Sequence, residues 1–250
     1  MAVIDLNADV GERGPESLAD DLAILDAVTS ANVACGFHAG DPDTMRAVCA
    51  GAVARDVRIG AHVGYDDRAN FGRVDRDVAP DRLRAETATQ LDVLAAAAAA
   101  VGGRVSYVKP HGALYSRAAA DRSTAEAIVD AAAAFDPGLA ILGPPDSRLL
   151  EAAAARGLTG AAEGFADRAY LADGRLVPRT QDGSVLTPTG AVAQAEEIAC
   201  AHRATAADGT PVALDVASLC LHSDTPGAAG LARDLRERLE RAGVEIRAFA

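Results

Sequence analysis

Tryptophan is absent from this 250-residue chain, aromatic residues make up 4% of it and methionine occurs twice, so its interior has to be aliphatic. Lysine is nearly absent too: of 24 Lys plus Arg, all but Lys109 are arginine. Against 36 Asp plus Glu this leaves a net charge of −12 and no Lys/Arg-rich block. That balance argues against a protein that gains affinity by neutralising nucleic-acid phosphates. No apolar run reaches membrane-spanning length, and Met1-Ala2-Val3-Ile4-Asp5 lacks the basic segment and apolar stretch of a secretion signal. The alanine run 95–100 is too short to span and falls inside an amphipathic helical pattern. The expected setting is the cytoplasm, with no membrane and no nucleic-acid partner. Cys35, Cys49, Cys200 and Cys220 show no C-x-x-C spacing, and a chain of this size needs no disulfide staples, so reduced thiols are expected. No G-x-x-x-x-G-K-[ST] occurs, so any ATP involvement cannot rest on a P-loop.

What is present is a strict alternation. Short apolar runs at 3–6, 31–34, 58–61, 105–108, 139–142, 160–163, 219–222 and 244–249 predict eight strands. Helical periodicity fills 18–28, 42–55, 80–101, 124–134, 147–156, 191–207 and 228–242. Proline near the first turn, at Pro42 and Pro80, and glycine after the last, at Gly102-Gly103, Gly157 and Gly243, mark boundaries. Repeated strand-helix units imply parallel strands covered by helices, in a doubly wound sheet or a barrel, and period alone does not separate the two. No linker or internal repeat divides the chain, so residues 1–250 are expected to form one α/β domain. The connections 63–79 and 165–189 are long for such units and are candidates for function.

The chemically active residues follow the carboxyl ends of the predicted strands: Asn7, Asp9 and Glu12; Cys35, His38 and Asp41; His62 and Arg68; Lys109 and His111; Glu163, Asp167 and Arg168; Cys220, His222 and Asp224. In a parallel barrel these ends open on one face, so the groups would converge. A chain biased so strongly to arginine keeps lysine where a compact ammonium is needed. Lys109 is therefore a candidate to polarise a carbonyl or hold an anion, and a structural ion pair with Asp9 or Glu163 is the alternative. Asp9, His38, His62, His111 and His222 are candidate ligands for a divalent metal, with Asp9, His62 and His111 foremost, although no H-E-x-x-H or H-x-H pair supports them. Arg68, Arg73 and Arg168 are candidate clamps for an anionic substrate. Asp41 before Pro42 reads as a helix N-cap, Asp224 as a turn cap, and Cys35 and Cys220 as small buried residues rather than nucleophiles.

These segments, in this order from Asp5 to Pro226 and including Ala31-Asn32-Val33-Ala34-Cys35-Gly36-Phe37-His38-Ala39-Gly40-Asp41-Pro42, resemble the LamB/YcsF family, whose members serve as the A subunit of 5-oxoprolinases. His62-Val63-Gly64-Tyr65-Asp66-Asp67 departs from the H-P-S-Y-P-D usual there, and Ser223 and Asn70 stand where glycine is usual. The resemblance implies a distorted seven-stranded (β/α) barrel, TIM-like, of the glycoside hydrolase/deacetylase kind, which makes the eight predicted strands one too many. It also implies ATP-dependent opening of the lactam 5-oxo-L-proline (pyroglutamate) to L-glutamate, in a complex with subunits B and C, and leaves open whether ATP meets this chain or is held mainly by those partners. In that scheme Lys109 and His111 stabilise charge on the lactam oxygen, Asp9 or Glu163 acts as general base, and His62 completes the catalytic set. Asn7, His38, Arg68, Asp167, Arg168, His222 and Asp224 form the substrate-binding set, within which Asp167 and His222 orient the catalytic groups. Two rivals stand beside it: a stand-alone metal-dependent amidohydrolase or deacetylase, and a non-enzymatic carrier of a small lactam.

Overall fold

The computed structural model describes residues 2–222 and 227–250. Among them, seven parallel strands close into a ring: β1 (Val3–Val10), β2 (Ser30–Ala34), β3 (Arg58–Val63), β4 (Val105–Pro110), β5 (Ala140–Gly143), β6 (Thr159–Phe165) and, after the short hairpin strands β7 (Arg203–Thr205) and β8 (Pro211–Ala213), β9 (Ser218–His222). Pairing of β9 with both β6 and β1 completes the closure. The helices α1 (Leu18–Ile24), α2 (Pro42–Val53), α3 (Pro80–Ala99), α4 (Gly112–Ala120), α5 (Arg122–Phe135), α6 (Arg148–Ala155), α7 (Pro188–Ala201) and α8 (Ala228–Arg241) follow the strands. Of the two architectures left open by periodicity, the barrel is the one that forms.

Several sequence expectations change. The eighth predicted strand, 244–249, is not part of the ring: only β10 (Glu245–Ile246) forms, and it pairs with Val3 and Ile4 at the amino-terminal end of β1. The helix predicted over 191–207 stops at Ala201, where His202 turns left-handed at φ 51°, and the chain continues into the antiparallel β7–β8 hairpin. Helix α4 has no counterpart among the predicted helices. The strands also run further than predicted, β1 to Val10, β3 to Val63 and β4 to Pro110, so Asn7, Asp9, His62 and Lys109 sit on strands rather than in the turns after them.

This extension follows from an unusual barrel interior. Along β1, Ile4, Leu6, Ala8 and Val10 join the aliphatic core under the helices, while Asp5, Asn7 and Asp9 alternate with them and are also buried. These polar residues satisfy one another across the ring. Asn7 Nδ2 donates to Ser218 Oγ (2.7 Å), Asn32 Nδ2 to Asn7 Oδ1 (2.6 Å) and Tyr107 Oη to Asn32 Oδ1 (2.6 Å). Below them Asp5 accepts from Thr29, Ser30 and Ser218. Gly60 makes room for this filling, since a Cβ there would lie 2.1 Å from the Tyr107 ring. Asp41 caps α2, its Oδ1 accepting from the backbone N–H of Asp43 and Thr44 at 3.0 Å each, as the sequence predicts. No helix of the described residues is long and apolar enough to cross a membrane.

Candidate active site

Lys109 reaches across the mouth of the barrel from β4 and is 2% exposed. Its Nζ donates to Asp9 Oδ1 (3.1 Å), Asn7 Oδ1 (3.3 Å) and Cys220 Sγ (3.1 Å), and lies 2.8 Å from Glu163 Oε1. The three N–H bonds are taken up by Asp9, Asn7 and Cys220, and Glu163 faces the ammonium as an ion-pair partner. Burial alone would lower the lysine pKa, but the Asp9 and Glu163 carboxylates reverse that and hold it well above its ordinary value. Lys109 is thus a permanent ammonium, neither a base nor a nucleophile. The structural ion pair raised as an alternative exists with both carboxylates. Asp9 responds in kind: burial would raise its pKa, yet His62 and Lys109 hold it well below the usual carboxylate range. Burial pushes the Cys220 thiol well above its ordinary value, which keeps it protonated.

A second cluster forms around Glu12, just beyond β1. Glu12 Oε1 lies 3.2 Å from His38 Nε2, 3.1 Å from His111 Nδ1 and 3.6 Å from His62 Nε2. His111 Nδ1 and His62 Nε2 are 3.0 Å apart. The far ring nitrogens are tied to backbone carbonyls, His62 Nδ1 to Lys109 O (3.2 Å) and His111 Nε2 to Phe71 O (2.9 Å). His38 stacks on His111 with ring centroids 3.9 Å apart, and burial pushes its pKa down to about 4 against the pull of Glu12. Gly72 permits this packing: its φ is 62°, and a Cβ there would lie 2.9 Å from His38 Cβ and 3.0 Å from His111 Cδ2. Burial would lower the His62 pKa, but Asp9 and then Glu12 raise it above its ordinary value, so the cluster favours positive charge at that ring.

The third element is a carboxylate–imidazole pair. Asp167, after β6, accepts from the His222 backbone N–H (3.0 Å), and its Oδ1 lies 3.0 Å from His222 Nδ1. Burial would raise the Asp167 pKa, but His222 holds it below the usual range. Because a carboxylate only accepts, Nδ1 is the donor in this pair, and in the neutral ring the bare nitrogen is Nε2, 3.9 Å from Asp9 Oδ2.

The three elements open on one cavity of about 390 Å³, within the range of small-molecule sites. Asp9, Glu12, His62, Lys109, His111 and His222 line it, with Tyr115 and Phe165 beside them. Residues 176–180 of the long 165–189 connection form a wall, and Arg73 and Arg179 bring positive charge to it.

Of the predicted catalytic set, Asp9, His62, Lys109 and His111 reach the cavity, and Glu163 sits behind Lys109. The predicted substrate set divides. His222 lines the cavity and Asp167 lies behind it. Asn7 is buried beneath Lys109, and His38 is behind His111. Arg68 turns away from the cavity: its guanidinium donates to the Gly36 carbonyl (2.9 Å) and to that of Gly40, holding the β2–α2 turn. Arg168 borders the cavity but is buried, with Nε donating to Ser184 O (3.0 Å) and Nη2 to Val177 O (2.7 Å), so it shapes the long loop. Asp224 lies outside the described residues. Among the predicted metal candidates, His62 and His111 meet at Glu12, while Asp9 stands 3.4 Å from His62 and belongs chiefly to Lys109. Glu12 is the residue missing from the predicted catalytic and metal sets, although it follows the end of a predicted strand as their members do.

Comparison with known proteins agrees with this architecture. The LamB/YcsF family model matches residues 4–250. A 5-oxoprolinase A subunit of Streptomyces coelicolor is 55% identical over 250 residues, 99% of this chain and 100% of that one. Another, of Nocardia farcinica, is 51% identical over 247 residues, 98% and 99% of the two chains. The crystal structure of a lactam utilization protein from Thermus thermophilus superposes with a TM-score of 0.91 at 42% identity, covering 99% of this chain and 100% of that one. A T48 deacetylase, at 13% identity and a TM-score of 0.52 over 98% of this chain and 87% of its own, shares the fold alone. The chain belongs to the LamB/YcsF family.

Proposed function

We propose that this chain is the lactam-handling subunit of an ATP-dependent 5-oxoprolinase. It opens 5-oxo-L-proline to L-glutamate in an assembly with two further subunits, B and C, as ATP becomes ADP and phosphate. One observation carries the reading: an imidazole oriented by a buried carboxylate, His222 by Asp167, faces a small cavity floored by a fixed ammonium, Lys109. That is the pairing of oriented base and preorganised charge that amide hydrolysis needs. The substrate comes from the relatives, which are named as A subunits of 5-oxoprolinase and as a lactam utilization protein.

In this scheme His222 Nε2 takes a proton from water as the water oxygen bonds to the lactam carbonyl carbon. Negative charge grows on the lactam oxygen, within the field of the Lys109 ammonium. The ring C–N bond then breaks as the proton passes from His222 to the leaving nitrogen, which leaves the side-chain carboxylate and α-amine of glutamate. The single carboxylate of the lactam suits the wall bearing Arg73 and Arg179. ATP supplies activation of the lactam carbonyl when bound. The Asp9 and Glu12 carboxylates of this cavity do not fit a triphosphate and the chain has no P-loop, so ATP is assigned to the partner subunits. Because Asp9 is held so strongly ionised, it anchors Lys109 and makes a poor base, which moves that role to His222.

Reconstitution with subunits B and C tests the reading, with glutamate measured from 5-oxo-L-proline in the presence and absence of ATP. Formation that requires all three chains and ATP is expected. Glutamate released by this chain alone without ATP would point to a stand-alone amidohydrolase, and tight lactam binding with no turnover in the full assembly would point to a carrier.

A further inference from the structure

Three buried acceptors meet at the barrel mouth, and among the described residues the donor beside them, His38 Nε2, reaches Glu12 Oε1 (3.2 Å) and leaves the two imidazole nitrogens facing each other. His62 Nδ1 and His111 Nε2 each face a backbone carbonyl, an acceptor only, so in the neutral rings those nitrogens carry the protons. The inward nitrogens, His62 Nε2 and His111 Nδ1, then present bare lone pairs to each other at 3.0 Å, with the Glu12 carboxylate 3.6 and 3.1 Å away. Two lone pairs and an anion at such distances, buried, require a cation among them.

We propose that Glu12, His62 and His111 form a divalent-cation site whose remaining position opens on the cavity. Donors around a four-coordinate ion with bonds of roughly 2.0–2.1 Å sit about 3.3 Å apart, and the three observed separations bracket that value. All three donors line the cavity, as an ion that receives a substrate or water oxygen needs. Each also has the outer partner that metal ligands characteristically carry: Lys109 O for His62, Phe71 O for His111, and His38 for Glu12. His38 is a positioning residue rather than a ligand. Its ring lies parallel to that of His111, 4° between planes and 3.9 Å away, so the in-plane lone pairs of the two rings do not converge on one ion. Imidazole and carboxylate donors select a borderline ion such as Zn²⁺ or Co²⁺. The other grouping of donors at the mouth, Asp9, Cys220 and His222, is a poor host, because Lys109 Nζ already sits 3.1 Å from both Asp9 and Cys220 and would repel the ion. The site does not depend on which lactam the cavity takes. A bound cation there would polarise an oxygen entering the cavity.

The full chain, stripped with chelator and desalted, is titrated with Co²⁺ alone, followed by visible absorption, and the retained metal is counted by mass spectrometry. One Co²⁺ per chain is expected, with ligand-field bands of low-symmetry four-coordination and release on Zn²⁺ addition. Glu12→Gln and His111→Asn should abolish stoichiometric retention with the circular dichroism of the fold preserved. His38→Gln should weaken binding about 10–100-fold without changing the spectrum. His202→Gln, at an exposed histidine beside Asp215, should bind as wild type does. A wild-type chain that retains no more Co²⁺ than Glu12→Gln, or one whose spectrum is unchanged in His111→Asn, overturns the proposal; the cation among these groups is then a proton shared by His62 and His111.

Discussion

Replacing Lys109 with methionine keeps the length of the side chain and deletes the charge between Asp9 and Glu163. The two carboxylates stay where the barrel holds them, both buried, with the ammonium that lay 3.1 and 2.8 Å away removed. Breaking a buried pair from one side costs about 3–5 kcal/mol, against a total stability on the order of 5–15 kcal/mol. For a chain of this size that corresponds to a fall of roughly 6–20 °C in Tm. The pH dependence follows from the directions of the shifts. In the wild type, the raised pKa of Lys109 contributes stability present below about pH 10.4 and lost only as pH rises through its still higher folded value. The depressed pKa of Asp9 contributes stability present above about pH 4 and lost as pH falls through its lowered folded value. Neither contribution changes between about pH 5 and 8. In Lys109→Met the unpaired carboxylates can regain neutrality by protonation, so the deficit should shrink as pH falls from about 8 toward 5. Urea unfolding of both proteins at several pH values in that window measures this directly. A deficit below about 1 kcal/mol at neutral pH, or one independent of pH, would refute the view that Lys109 neutralises the barrel mouth.

Burial raises the pKa of Asp5 to about 6 despite its hydroxyl donors Ser218, Ser30 and Thr29. The folded state therefore holds this proton more tightly than the unfolded one, and the group contributes stability at low pH that is lost as pH rises from about 4 to about 6. Asp5→Asn should flatten the stability profile across that window by about 3 kcal/mol, read by denaturant unfolding at about pH 4 and 7. Arg68→Ala should act on stability rather than on substrate affinity: losing two hydrogen bonds to the Gly36 and Gly40 carbonyls costs about 1–3 kcal/mol, with KM unchanged in the reconstituted enzyme. A raised KM at unaltered stability would return Arg68 to the substrate.

The fold was legible wherever apolar residues cluster, and it became hard to read where the barrel interior turns polar. Asp5-Leu6-Asn7-Ala8-Asp9-Val10 has the two-residue period of a strand with one face in each environment, yet its polar positions resemble a loop, so β1 looks four residues shorter than it is. His62 and Lys109 misplace the ends of β3 and β4 for the same reason. Helix α4 is hidden because Pro110-His111-Gly112 has the composition of a turn, and Gly112 does adopt φ 54° before the helix continues. The β7–β8 hairpin leaves a trace in Asp208-Gly209, a turn pair that the helical pattern over 191–207 obscured. In the site, the lone lysine and the histidines at strand ends pointed to the mouth through composition and position. Glu12 did not stand out, because nothing in its spacing from His38, His62 and His111 shows that the barrel brings the four together. Arg68 and Asn7 looked like substrate groups because their partners, two backbone carbonyls and a buried polar ladder, exist only in the folded chain.

The most direct measurement compares wild type with His222→Gln in the assembly reconstituted with subunits B and C, following glutamate formation and ATP hydrolysis in the same reaction. If His222, oriented by Asp167, is the base at the lactam, glutamate formation should fall about 10²–10⁴-fold while the assembly stays intact and ATP is still consumed by the partners. Glutamate formation at the wild-type rate would contradict it.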